Sequence, residues 1–156
     1  MPRELRSADA ADAFAICTLL RRSITECCVA DHANDAERLA AWLRNKTPEN
    51  VSRWLLSAGN ASFVTVQDAA ITGFALLNNA GEVALCYVLP EARFTGTGKV
   101  LLTAMEDCAR QRGLTALRLH STRSALDFYL RNGFQVTDEA VVVFGITATP
   151  LRKTLT

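Results

Sequence analysis

VLPEARFTGTGKVLL, residues 88–102, carries an apolar segment through a glycine turn into a helix. Pro90 has no N–H to give to a ladder, so the strand before it ends there. From Gly98 to Arg112, residues Val100, Leu101, Ala104, Met105, Cys108 and Ala109 recur at helical spacing, and Gly113 follows as a C-cap. The turn RFTGTGK (93–99) is therefore the start of a helix, where free N–H groups and the helix dipole favour an anion. Gly96 and Gly98 let the backbone approach such an anion with no Cβ in the way. Arg93 and Lys99 add side-chain charge.

Several patterns compete for this turn. A P-loop needs G-x-x-x-x-G-K-[ST], but Arg93 stands at its first glycine and Val100 at its hydroxyl position. A dinucleotide fingerprint needs a third glycine where Leu101 stands. R-x-x-G-x-G between a Pro-ended strand and a long helix does fit, and it suits a pyrophosphate. A tight turn whose glycines serve geometry alone is the competing reading.

Outward from this unit, SFVTVQ (62–67), ITGFALLN (71–78) and VALCYVL (83–89) read as successive antiparallel strands. Beyond it come a strand LTALRLH (114–120), a helix ALDFYLRNG (125–133) and a strand VVVFGI (141–146). That last unit calls for a parallel pair with a right-handed crossover. Before the meander, RELRSA (3–8) suits a short strand, and Asp9 can cap a helix with the stripe Ala13, Ile16, Cys17, Leu20 and Ile24. VADHAND (29–35) reads as a polar break. A second helix runs through Leu39, Trp42 and Leu43, and Thr47-Pro48 starts a third. The expectation is an α/β (α+β) fold with a mixed sheet, as one domain over residues 1–156.

Composition narrows the partners. The chain has 156 residues, 49% hydrophobic and 21% charged, with a net charge of +1. That balance suits a soluble globular domain and offers no basic stripe for nucleic acid or an anionic membrane. MPRELRSADAAD has no apolar core for a signal peptide, and no apolar run is long enough to span a bilayer. Five cysteines with no C-x-x-C pair point to reduced thiols in a cytoplasm, and two histidines make a metal site unexpected.

STRSALDFYLRNGF (121–134) supplies a second signature. Taken with VLPEARFTGTGKVLL, it resembles the GNAT superfamily of N-acetyltransferases, whose acyl-CoA loop reads [QR]-x-x-G-x-[GA] and whose later helix reads A-x-x-[FL]-Y-x-x-x-G-[FY]. Arg93, Gly96, Gly98, Ala125, Phe128, Tyr129, Gly133 and Phe134 match. The resemblance implies a mostly antiparallel mixed sheet, flanked by helices, whose central parallel strands (82–89 and 114–120) splay around acetyl-CoA. It implies a pantetheine arm on the backbone of Tyr87, Val88 and Leu89 and beside Ser121 and Thr122. The pyrophosphate would lie on the amides of Phe94, Thr95, Gly96, Thr97, Gly98 and Lys99. The sequence departs from the family at Phe94, where glycine is common, at Thr95, where a base is common, and at Thr122, where many members have asparagine.

The implied chemistry is acetyl transfer to a primary amine of a small molecule or peptide, without a metal, by a monomer or homodimer. A phenol stays protonated at neutral pH and can donate to a leaving thiolate, which is the role the resemblance gives Tyr129. Glu82 is the candidate base, on the strand face of Ala84, Cys86 and Val88 if no bulge intervenes. Tyr129 as a core aromatic and Glu82 as a solvated carboxylate are the competing readings. Cys86 has no activating partner at recognisable spacing and reads as a small buried residue. His120 is a candidate for a base acting at one remove from the reacting atoms. Asp31, His32, Asp35 and Trp42 could border an acceptor pocket, against a solvated loop and a core tryptophan. An idle acyl-CoA-binding module is the alternative to an enzyme.

Overall fold

Two four-stranded sheets meet at one point in the computed structural model, which describes residues 2–156. The first begins with β1 (Glu4–Ser7). Asp9 then accepts from the Ala11 N–H at 2.8 Å while Asp12 reaches back to the Asp9 N–H at 2.8 Å, a capping box that opens a 3-10 turn. Helix α1 (Ala13–Cys27) follows, its expected stripe buried from Ala13 to Ile24. Next are α2 (Val29–His32), α3 (Ala36–Leu43) and α4 (Pro48–Leu56), the last with Thr47 as N-cap and Pro48 in its first turn. The meander β2 (Ala61–Gln67), β3 (Ala70–Leu77) and β4 (Val83–Val88) completes the order β1-β2-β3-β4, antiparallel throughout.

Helix α5 (Thr97–Gln111) leads to β5 (Ala116–Ser121), α6 (Arg123–Arg131), β6 (Gln135–Val136), β7 (Val141–Val143) and β8 (Ile146–Thr154). Strand β3 is the spine. Phe74 and Leu76 pack with Ile16, Leu20 and Val51 on one side, and Ala75 and Leu77 pack with Leu101 and Met105 on the other. At Gly73 a Cβ would stand 2.8 Å from Leu101 Cδ1 and 2.7 Å from Thr65 Oγ1, so glycine lets α5 lie close on the sheet.

Between the sheets there is one parallel bridge, Glu82 to Arg118, with the Arg118 N–H donating to Gly81 O at 3.0 Å. Past it β5 ladders with β8 and β4 with β3, so the two parallel strands diverge. A bulge marks the divergence: Leu76 faces Leu85 but Leu77 faces Val83, leaving Ala84 as the extra residue of β4.

Three expectations need correction. Residues 141–146 are not one strand, because Phe144 (φ 54°) and Gly145 (φ 73°) turn the chain between β7 and β8. Positive φ at both turn residues matches the twist of a two-residue hairpin. The strand–helix–strand unit does not form an adjacent parallel pair, since β8 lies between β5 and β6 and is antiparallel to both. The stretch 29–35 is not a solvated break, for Asp31 and His32 are buried on α2.

Lys46, 6% exposed, lies beneath α1 and α3, where its ammonium donates to Asn45 Oδ1 at 2.6 Å. Burial brings its pKa down from 10.5 to about 8. The unfolded chain therefore holds this proton more tightly, and the stability present above pH 10.5 is lost as pH falls through about 8. Lys46→Met should stabilise the fold at pH 7 by roughly 3 kcal/mol. The gap between variant and wild type, read by urea unfolding, should close as pH rises from 8 to 10.5. A gap independent of pH contradicts the assignment.

Candidate active site

The divergence of β4 and β5 opens a cavity of about 790 Å³, walled by the end of α1, the length of β4, the 93–99 loop, β5 and α6. Its first resource is backbone. Leu89 gives its N–H to Thr72 O at 2.9 Å, and Tyr87 faces Phe74 in the same register. Strand alternation then turns the N–H and C=O of Cys86 and Val88 away from β3, into the gap. Of the three residues expected to meet a pantetheine arm, Val88 presents its backbone there, while Tyr87 pairs with β3 and Leu89 donates its N–H to Thr72 and accepts from the Ala92 N–H on its C=O.

The second resource is the start of α5. Gly96 (φ 85°) is its N-cap and has no side chain to close off the first N–H groups of a 15-residue helix. A Cβ at Gly96 would meet nothing nearer than Arg3 Nη1 at 3.9 Å. Such a helix end, open towards the gap and flanked by Arg93 and Lys99, fits a pyrophosphate. Gly98 has another reason to be glycine: a Cβ there would stand 3.3 Å from the Phe128 ring, so α5 and α6 meet at this point. Thr95 and Thr97 are bound within the loop, their hydroxyls 2.9 Å apart. Arg3, which sequence reasoning missed, donates Nη2 to Thr95 O at 2.6 Å and pins the loop to the start of β1. No motif signals a contact that spans 92 positions.

Tyr129 is 6% exposed and stands on the cavity wall, edge-on to both Phe128 and Phe134. Its phenol meets the Cys86 thiol. Burial, with Cys86 and Tyr87 beside it, pushes the phenol well above the ordinary tyrosine range. Burial also lifts the Cys86 thiol to about 12, so both groups hold their protons at neutral pH. Tyr87 is raised by burial as well, with Cys28 beside it.

The remaining candidates separate. Ser121 is buried and donates to Thr122 O at 2.8 Å, while Thr122 caps α6 by accepting from the Ala125 N–H at 3.2 Å. His120 is exposed on the cavity wall. Glu82 sits at the bridge, its N–H on Asn78 Oδ1 at 2.9 Å, and is not among the residues that wall the cavity. The Ala84 bulge breaks the alternation that would have put Glu82 on one face with Cys86 and Val88. Asp35 caps α3, and Trp42 is buried in an apolar cluster with Ile24 and Ile146. Asp31 accepts from the Arg123 N–H at 2.7 Å and from Ser124. Among the described residues, no group of three or more metal-ligating side chains comes together.

The family model for the acetyltransferase (GNAT) domain matches residues 28–155. Over 141 residues the chain is 28% identical to the uncharacterized N-acetyltransferase YhfO of Bacillus subtilis, covering 84% of this chain and 89% of that protein. It is 26% identical to a spermidine N(1)-acetyltransferase of Thermoplasma acidophilum, over 65% of this chain and 70% of the relative. Two other Bacillus subtilis relatives are matched over less than half their length, 41% and 48%. The solved structure of PaiA N-acetyltransferase from Thermoplasma acidophilum, in complex with coenzyme A, superposes with a TM-score of 0.86 at 22% identity, over 99% of both chains.

Phe94 adopts φ 61° with its ring 91% exposed and the Arg93 guanidinium 4.8 Å from the ring centre. A side chain in the left-handed region costs about 1–2 kcal/mol, and glycine gives back part of that gain as chain entropy. Phe94→Gly should therefore raise Tm by about 2 °C. A lower Tm in thermal melts would mean that the ring's contacts outweigh the strain.

Proposed function

The chain belongs to the GNAT family of acetyltransferases, and on that premise we propose that it transfers an acetyl group from acetyl-CoA to the primary amine of a small molecule or peptide. The observation that carries this reading is a buried Tyr129 phenol on the wall of a gap that also offers an open strand edge and an uncapped helix start. When bound, acetyl-CoA supplies a thioester, and the amine nitrogen forms the new bond to the acyl carbon as the C–S bond breaks. The amine loses a proton and the thiolate gains one.

Tyr129 donates that second proton: its phenol still holds a proton when the thiolate forms, and the apolar wall that disfavours a phenolate disfavours a bare thiolate as well. The Cys86 and Val88 backbone aligns the pantetheine arm. The amides from Phe94 to Lys99, with Arg93 and Lys99, hold the pyrophosphate. Glu82 stands off the cavity wall, so any part it takes in removing the amine proton runs through water. That the Thermoplasma acidophilum relative is named for spermidine supports a cationic small amine as the first acceptor class to test.

Acetyl-CoA at about 100 times its Kd should add roughly 2.7 kcal/mol, a rise in Tm of about 5–10 °C, and Mg-ATP should do far less. Tyr129→Phe removes one oxygen and keeps the ring packing. Its kcat, followed by thiol release with a slow acceptor, should fall about 10²- to 10⁴-fold with little change in the KM for acetyl-CoA. Glu82→Gln should cost less than about tenfold, most of it below pH 8. Wild-type turnover in the Phe variant would take Tyr129 out of catalysis.

A further inference from the structure

The helix that carries Tyr129 is held at its start by a carboxylate from far away in the chain. Asp31, 7% exposed on α2, accepts from the Arg123 N–H at 2.7 Å, from the Ser124 hydroxyl at 2.5 Å and from the Ser124 N–H at 3.4 Å. Thr122 takes the next N–H, that of Ala125. The first turn of α6 is thus closed by two acceptors, one local and one 92 residues distant.

Helix α2 is itself fixed on its other side. His32, fully buried, accepts the Asn34 N–H on Nδ1 at 3.1 Å. With Nδ1 accepting, Nε2 donates to Ile24 O at 3.0 Å, at the end of α1. That end of α1 supplies Ser23, Cys27 and Cys28 to the cavity, and α6 supplies Ala125, Phe128 and Tyr129. His32 and Asp31 therefore form one rigid link from the α1 wall to the α6 wall. Tyr129 lies about 9 Å along the helix from the anchored turn, so a tilt at Arg123 displaces the phenol against the reacting atoms. Geometry at that scale matters, because a misplacement of about 1 Å can cost about a hundredfold in rate.

We infer that Asp31 is a positioning residue for Tyr129, fixing the angle of α6 so that the phenol meets the departing thiolate; this rests on the acid role proposed above. Asp31 is not among the residues that wall the cavity. It acts through the helix start, and its influence should vanish when the phenolic oxygen is absent.

A double-mutant cycle reads this directly. Asp31→Asn keeps one oxygen for the Arg123 N–H and sets an amide against Ser124, and it should lower kcat about tenfold with the KM for acetyl-CoA within about twofold. In the Tyr129→Phe background the same change should alter kcat less than about twofold. Ser124→Ala, which deletes only the shortest of the three contacts, should repeat the pattern at about threefold and covers the case in which Asp31→Asn folds poorly. Equal losses in both backgrounds would show a general structural role and overturn the inference. So would undiminished kcat in both Asp31→Asn and Ser124→Ala. A Tyr129→Phe enzyme with wild-type kcat would instead overturn the acid assignment itself, whatever Asp31 does.

Discussion

Everything at the site depends on where β4 and β5 stop being neighbours. Their single bridge at Glu82 and Arg118 fixes the apex of a wedge, and the Ala84 bulge turns β4 away from β5 beyond it. A strand edge inside a protein carries backbone donors and acceptors that need partners. Here the edge of β4 past the bulge faces a cavity instead of another strand, so an extended molecule with amides of its own can complete the ladder. The cavity exists because the fold leaves a sheet unfinished at its centre.

The polar and apolar ends of that cavity are set by different elements. Helix α5 brings an uncapped start with Gly96 in the left-handed region, which favours anionic groups. Helix α6 brings Phe128 and Tyr129, and the contact of Phe128 with Gly98 packs the two helices together. One end thus holds charge by backbone dipoles, while the other is apolar enough to keep a phenol and a thiol protonated. The proposed reaction, with an anion held and a protonated thiol released, calls for both environments within one gap.

Much of this was legible in the sequence, because it rests on local signals. The stripe of α5, the glycines of its turn, the Asp9 cap, the Thr47-Pro48 helix start and the antiparallel meander all depend on residues within a few positions of one another. The two motifs, in their order and spacing, also pointed to the family. What escaped depends on distant or irregular contacts. The Ala84 bulge has no residue signature, yet it decides where Glu82 points. The Phe144-Gly145 turn lacks the usual Asn-Gly signal, and Pro150 disguises β8 as a loop although it pairs with His120. Asp31 and His32 look like loop polarity until the fold buries them against α6 and α1.

The open edge of β4 is the claim on which the rest stands, and amide hydrogen exchange resolved by residue tests it most directly. On addition of acetyl-CoA, the amide protons of Cys86 and Val88 should exchange more slowly, while those of Tyr87 and Leu89, already bonded to β3, should change little. Unaltered exchange at Cys86 and Val88 with acetyl-CoA bound would contradict a pantetheine arm laid along this strand.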